Sequence, residues 1–317
     1  SDWDVSSVTD MSYIFANTNN FNLSLLDWDF SGVTDMSYMF SNTNNFNGDI
    51  SDWDVSSATN MESMFESASY FNNSNPYWDE QMFFGGEASF NSDISDWDVS
   101  NVIIMNKMFK QVQGFDQDLS YWDVSSVTDM KEMFFNAYDF NQDVSYWDVS
   151  SVTDMNSMFY SANFNGDISN WDTSSVTSMS GMFNKAGSFN QDISYWDVSN
   201  VNDMALMFRE ASSFNSDISN WDVSSVTNMS YMFYKAESFN QDISYWDVSS
   251  VTNMNSMFSG ANVFNQDISY WDVSSVTDMS YMFWIPEALS DDNKCYIHTS
   301  FDSNENWQEN WESFCSD

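Results

Sequence analysis

Three columns of residues recur along this chain at fixed spacing, and each is a set of groups able to hold a partner. A carboxylate follows every regularly placed tryptophan, as at Asp4, Asp29, Asp54, Asp98, Asp123, Asp148, Asp172, Asp197, Asp222, Asp247 and Asp272. A second lies just before it in most units, as at Asp118, Asp143, Asp192 and Asp242. Carboxylates repeating at about 5 Å repel unless cations or hydrogen bonds hold them. Calcium suits such an array, because it takes about six to eight oxygens from carboxylates, carbonyls and water. Its candidate ligands pair as Asp118 with Asp123, Asp143 with Asp148, Asp192 with Asp197, and Asp242 with Asp247. The alternative is local: each Asp accepts from the N–H groups of its own turn. No D-x-D-x-D-G loop or glycine-rich nonapeptide accompanies the columns, which favours the local reading.

The third column is aromatic. Where F-N-x-D carries Gln, the residue before Trp is Tyr: Gln117 with Tyr121, Gln142 with Tyr146, Gln191 with Tyr195, Gln241 with Tyr245, and Gln266 with Tyr270. Where it carries Gly or Ser, the partner is Asp or Asn, as in Gly48 with Asp52 and Ser216 with Asn220. Contact across a strand would produce this covariation. Duplication of two-repeat blocks would produce it too. These ten Tyr and Gln residues form a candidate binding stripe suited to surface glycans, proteins or copies of the same chain.

Other chemistry is sparse. Cys295 and Cys315 read as a disulfide staple in an extracellular chain, or else as two free thiols. Asn22-Leu23-Ser24 and Asn72-Asn73-Ser74 are glycosylation sequons, usable if the Asn column is not buried. The one histidine is His298, and no Ser-His-Asp set, zinc spacing or phosphate-binding loop is present. The chain therefore reads as non-enzymatic, with calcium the only cofactor its residues suggest.

A strict period positions all of these groups. Trp3, Trp28, Trp53 and Trp78 are 25 residues apart, as are Trp97, Trp122 and Trp147, and as are Trp171, Trp196, Trp221, Trp246 and Trp271. Such a period marks a stack of units that cannot bury their apolar faces alone. Val251, Met254, Met257, Phe258 and Ala261 have the spacing of one helix face. Ser250 and Asn253 resemble a cap, and Lys110, Lys185, Arg209 and Lys235 fall where a final helical turn would be. The stretch D-I-S-Y-W-D-V favours a short strand.

The expected architecture is an α/β, leucine-rich-repeat-like right-handed solenoid, with one short parallel strand and one short helix per 25-residue coil. Residues 1–283 would form about 12 coils, irregular near 73–90 where Pro76, Gly85 and Gly86 cluster, and residues 284–317 a C-terminal cap. The Asn column (Asn22, Asn47, Asn91, Asn141, Asn190, Asn240 and others) would be a buried ladder. The chain opens inside a repeat, so the natural N-terminus is expected to lie elsewhere.

The units resemble the BspA-type leucine-rich-repeat surface proteins, whose hallmark is W-D-V-S-x-V-T-x-M-x-x-M-F followed by F-N-x-D-I-S. The resemblance covers residues 1 to about 283 and implies an extracellular, cell-surface or virion-surface protein of adhesive or structural role. Seven Lys and Arg face 48 Asp and Glu, a net charge of −41. That charge excludes nucleic acid, which demands a basic face. No apolar run is long enough to span a membrane.

Overall fold

The computed structural model describes residues 3–68, 90–284 and 287–315. They fall into two compact units: Ser1–Ser151 with Ser161–Gly166, and Val152–Tyr160 with Asp167–Asp317. Within each, successive repeats pair in parallel through one bridge residue per repeat. In the first unit the bridges run Asp10, Asp35, Asn60, Ile104, Asp129; in the second they run Asp154, Ser178, Asp203, Asn228, Asn253, Asp278.

The M-x-x-M-F-x-x-A half of each repeat is a run of overlapping turns. In the second unit the N–H groups of Met229, Tyr231, Phe233 and Lys235 donate to the carbonyls of Asn253, Asn255, Met257 and Ser259 in the next repeat at 2.8–2.9 Å. The N–H groups between them turn back three residues, Met232 to Met229, Tyr234 to Tyr231 and Ala236 to Phe233. The first unit repeats the pattern at Met36, Tyr38, Phe40 and Asn42. Alternation of this kind needs a left-handed residue at two places in each run: φ is +58° at Tyr231 and +52° at Lys235, +57° at Tyr38 and +56° at Asn42. Glycine takes the same places at Gly181 and Gly260.

The helix and strand expected in each repeat are therefore both corrected: among the described residues the repeats contain neither. An α-helix cannot pass through left-handed residues at each turn, whereas a type II turn requires one at its third position. The stretch is too short to sustain a helix alone, and its Ser, Thr, Asn and Asp residues compete for the backbone. The I-S-Y-W stretch is also a turn, with Trp246 N–H donating to Ile243 O at 3.2 Å. With no helix dipole to complement, the cations lie over rings instead: Lys110 over Phe135 (5.1 Å), Lys185 over Tyr160 (6.0 Å), and Arg209 and Lys235 over Tyr234 (5.2 Å each).

The core is a set of columns. The Met, Phe, Val, Ile and Trp of the motif are almost fully buried in the interior repeats. Trp171 and Trp196 stack at 6.4 Å and 3°, Trp221 and Trp246 at 6.5 Å and 2°. Buried indole N–H groups donate to an Ile or Leu carbonyl of the preceding repeat, as Trp122 to Ile94 and Trp246 to Ile218 (3.0 and 3.1 Å), whereas the Trp53 Nε1–H is buried without a partner. Meeting the polar handle in this way is what lets a Trp occupy a core position.

Trp53 stacks directly on Trp97, at 6.2 Å and 7°. Asn60 bridges Ile104, and Phe90 N–H donates to Ala68 O at 3.0 Å. The repeats of Trp53 and Trp97 thus pair directly, with the irregular coil expected near 73–90 lying between them in sequence. That irregular coil, with Pro76, Gly85 and Gly86, lies outside the described residues.

The last repeat is covered by a cap. Helix α1, Asp291–Phe301, starts at Ser290, whose hydroxyl accepts from Asn293 N–H. A single 3-10 turn, Glu312–Phe314, follows. Trp307 and Trp311 pack on Phe283, and the Asn304 amide donates to the carbonyls of Val273 and Val276. Cys295 and Cys315 are joined by a disulfide, with Cα atoms 4.9 Å apart. At 11 residues α1 is too short to cross a membrane, and no other described helix is long and apolar enough to do so.

Candidate functional site

Each carboxylate column is a column of turns. Asp123 Oδ1 accepts from Ser125 N–H at 3.1 Å and from its hydroxyl at 2.6 Å. Asp148, Asp197 and Asp247 do the same with Ser150, Ser199 and Ser249. In the second column Asp118, Asp143, Asp192 and Asp242 accept the N–H groups of Ser120, Ser145, Ser194 and Ser244 at 2.9–3.0 Å. The bridge residues form a third such column: Asp10, Asp35, Asp154 and Asp278 each accept the N–H two residues ahead. Its carboxylates were hidden in the sequence by their assignment to a helix cap.

The serine hydroxyl first, and the serine N–H second, hold the carboxyls of Asp143, Asp192, Asp197 and Asp247 below their ordinary range. A carboxyl depressed on folding stabilises the fold above its unfolded value, and that contribution is lost as pH falls through the folded value. The melting temperature should therefore hold as pH falls toward the ordinary aspartate value of 3.8 and drop below it. A melting temperature that keeps rising down to strongly acid pH would contradict this account of the turns.

Among the described residues no three acid, imidazole or thiol groups gather where they could hold a metal ion. The Asp pairs weighed as calcium ligands are each tied to their own serines. We expect thermal melts in calcium and in EGTA to superimpose; a downward shift in EGTA would return calcium to the columns.

The Asn column is a ladder, but an exposed one, which corrects the expectation of burial. Asn47 N–H donates to Asn22 Oδ1 at 3.3 Å, and Asn91 N–H to Asn47 Oδ1 at 3.1 Å. In the second unit Asn215, Asn240 and Asn265 donate in turn to Asn190, Asn215 and Asn240. The ladder ends at Ser290, whose N–H donates to Asn265 Oδ1 and so seats the start of α1. One side-chain oxygen per repeat suffices, and it stands at the surface. Asn22 is accordingly exposed; Asn72 lies outside the described residues.

Gln117, Gln142, Gln241 and Gln266 extend this ladder. Their amides donate to the carbonyl of Asn91, Asp116, Asn215 and Asn240 at 2.7–3.1 Å. Ser216 Oγ, at the same motif position, donates to Gln191 O at 2.7 Å. The tyrosines stand free of it. Tyr121, Tyr146, Tyr195, Tyr245 and Tyr270 are 87, 85, 87, 88 and 79% exposed. The Gln side chains join repeat to repeat, and the Tyr rings present a surface: Tyr121 and Tyr146 on neighbouring repeats of the first unit, Tyr245 and Tyr270 on neighbouring repeats of the second.

A cleft in the cap, lined by His298, Thr299, Asp302, Trp307, Glu309 and Glu312 among others, escaped sequence reading. Its residues share no motif and meet only because the chain returns on α1.

Two solved structures bear a distant likeness. One is the crystal structure of the mouse RP105/MD-1 complex, 13% identical, covering 87% of this chain and 42% of that one, with a TM-score of 0.27. The other is the functional domain of InlJ from Listeria monocytogenes, described as including a cysteine ladder, 11% identical, covering 84% and 62%, with a TM-score of 0.16. This chain thus spans less than two thirds of either. No curated protein matches it. The pattern described as "Mycoplasma protein of unknown function, DUF285" matches residues 1–83, 79–163, 141–236 and 216–317. Matched in four overlapping stretches along its length, this repeat protein belongs to the DUF285 family of Mycoplasma proteins of unknown function.

Proposed function

We propose that the chain is a non-enzymatic adhesive or structural protein of the extracellular or cell surface. Its repeats wind as a solenoid of the leucine-rich-repeat type, and it contacts glycans, proteins or copies of itself through the tyrosine column. The observation that carries this reading is the exposure of five tyrosine rings, 79–88%, at one repeated motif position. Aromatic rings left in water contribute nothing to the core, and Tyr is enriched where one surface meets another. The neighbouring Asp and Gln side chains are occupied within and between repeats, so the rings are the groups of this surface left for a partner.

The Cys295–Cys315 disulfide supports an oxidising, extracellular setting. The BspA-type motif resemblance points the same way. Replacing both Tyr245 and Tyr270 by Ala tests the reading. Binding to glycan arrays and immobilised surface proteins should weaken by about tenfold or more, with the melting temperature unchanged. Binding equal to that of the unaltered chain would sink it.

A further inference from the structure

The cations of the repeats are confined to one stretch of the motif. Lys107, Lys110, Lys131, Lys185, Arg209 and Lys235 all fall in the M-x-x-M-F-x-x-A run. In the first unit Lys110 is held by Glu66 and Glu132, at 3.8 and 2.5 Å. In the second unit Lys185, Arg209 and Lys235 come from three successive repeats, those of Ser178, Asp203 and Asn228. Each is laid over a ring, Lys185 over Tyr160, and Arg209 and Lys235 over Tyr234. Arg209 also pairs with Glu210 at 2.6 Å, while Lys235 is exposed. Rings that seat long side chains reduce the freedom those chains would lose on docking.

The tyrosine column of the same unit has the opposite charge. Tyr245 and Tyr270 are exposed. Asp242 and Asp247 flank the first in sequence, Asp267 and Asp272 the second. The serine bonds to these carboxylates all reach Oδ1. They fix each group in place but bring no counter-charge, so every ring stands among uncancelled carboxylates. The face of a tyrosine attracts a cation, and a carboxylate beside it pairs with the same cation.

Both columns advance one step per repeat. Trp246 and Trp271, next to the tyrosines, are 6.4 Å apart; Phe208 and Phe233, next to the cations, are 5.8 Å apart. A strip with one cation per repeat therefore meets a column with one tyrosine per repeat in register. The net charge of −41 opposes association at long range. At physiological ionic strength that repulsion is screened beyond a Debye length of about 8 Å, and contact pairs decide the outcome.

We propose that the Lys185, Arg209 and Lys235 strip docks on the Asp-flanked tyrosine column of a second copy, so that the chain assembles with itself, repeats in step. This rests on the reading of the tyrosine column as a contact surface and names its partner. The contact joins two unlike patches, so each copy keeps one of each for the next.

Sedimentation velocity of the full chain over a range of concentrations, at ionic strengths of about 0.15 and 1 M, tests the proposal. Assembly should grow with concentration and fall away at the higher salt. Replacing Lys185 and Lys235 by Glu reverses the strip, and Glu210 shows that Glu is accepted at this left-handed place. That variant should assemble about tenfold or more weakly, with its melting temperature unchanged. Replacing Tyr245 and Tyr270 by Lys should prevent assembly as well. Mixing the two variants should restore it, because each carries the patch that the other has lost. Four results would overturn the proposal: an unaltered chain that stays monomeric, assembly that strengthens with salt, a reversed strip that assembles normally, or a mixture that stays apart. The reversed-strip variant keeps its tyrosines. If it still binds glycan arrays or immobilised surface proteins while the unaltered chain never self-assembles, this inference fails and the reading of the tyrosine column stands.

Discussion

Phe233→Ala should destabilise the second unit by about 3–5 kcal/mol, the cost of removing a buried aromatic ring and leaving its cavity. Phe233 is fully buried. Its ring lies 3.9 Å from that of Phe239 in its own repeat, and 5.8 and 5.7 Å from Phe208 and Phe258 in the repeats on either side. It also leans on Trp246 at 6.3 Å. One substitution thus weakens packing within a repeat and across two interfaces. In an array stabilised by nearest-neighbour terms, that is where damage is largest. Urea unfolding followed by near-ultraviolet circular dichroism measures it. A loss under about 1 kcal/mol would mean that the rings are not packed as described.

Replacing Cys295 and Cys315 by Ser should cost about 3 kcal/mol in the chain-entropy account of a loop of this length. The disulfide closes a loop with a sequence separation of 20 residues and holds α1 against the returning segment. That assembly covers Phe283 and takes up the carbonyls of Val273 and Val276. Faster hydrogen exchange through α1 and the Met279–Phe283 stretch should accompany the loss, while interior repeats change little. Identical melting with and without reductant would show that the cap needs no staple.

The repeat and its core were legible because burial follows the motif: Trp, Ile, Val, Met and Phe recur at fixed places and all turn inward. Secondary structure was not. A run of overlapping turns sets its inward corners three and four residues apart, so Met254, Met257, Phe258 and Ala261 imitate a helix face. The left-handed positions gave no warning, since they are filled by Tyr231, Lys235, Glu132 and Ser256 as readily as by Gly181. Spacing did not announce the contact of Trp53 with Trp97, which shows that these two described repeats adjoin. Of the proposed contact surface, the tyrosine column was readable from spacing alone. The role of its Gln partners was not, because an amide reaching back to the preceding repeat looks in sequence like one facing solvent. The cap cleft depends on a chain reversal that no motif announces.

The indoles of the second unit stand nearly parallel and about 6.4 Å apart, Trp171 on Trp196 and Trp246 on Trp271. Chromophores so arranged share excitation: light absorbed by one is handed along before it is emitted. The folded protein therefore carries an optical signature of its own register, coupled ultraviolet transitions along the stacked indoles, which weakens where a ring slips out of line.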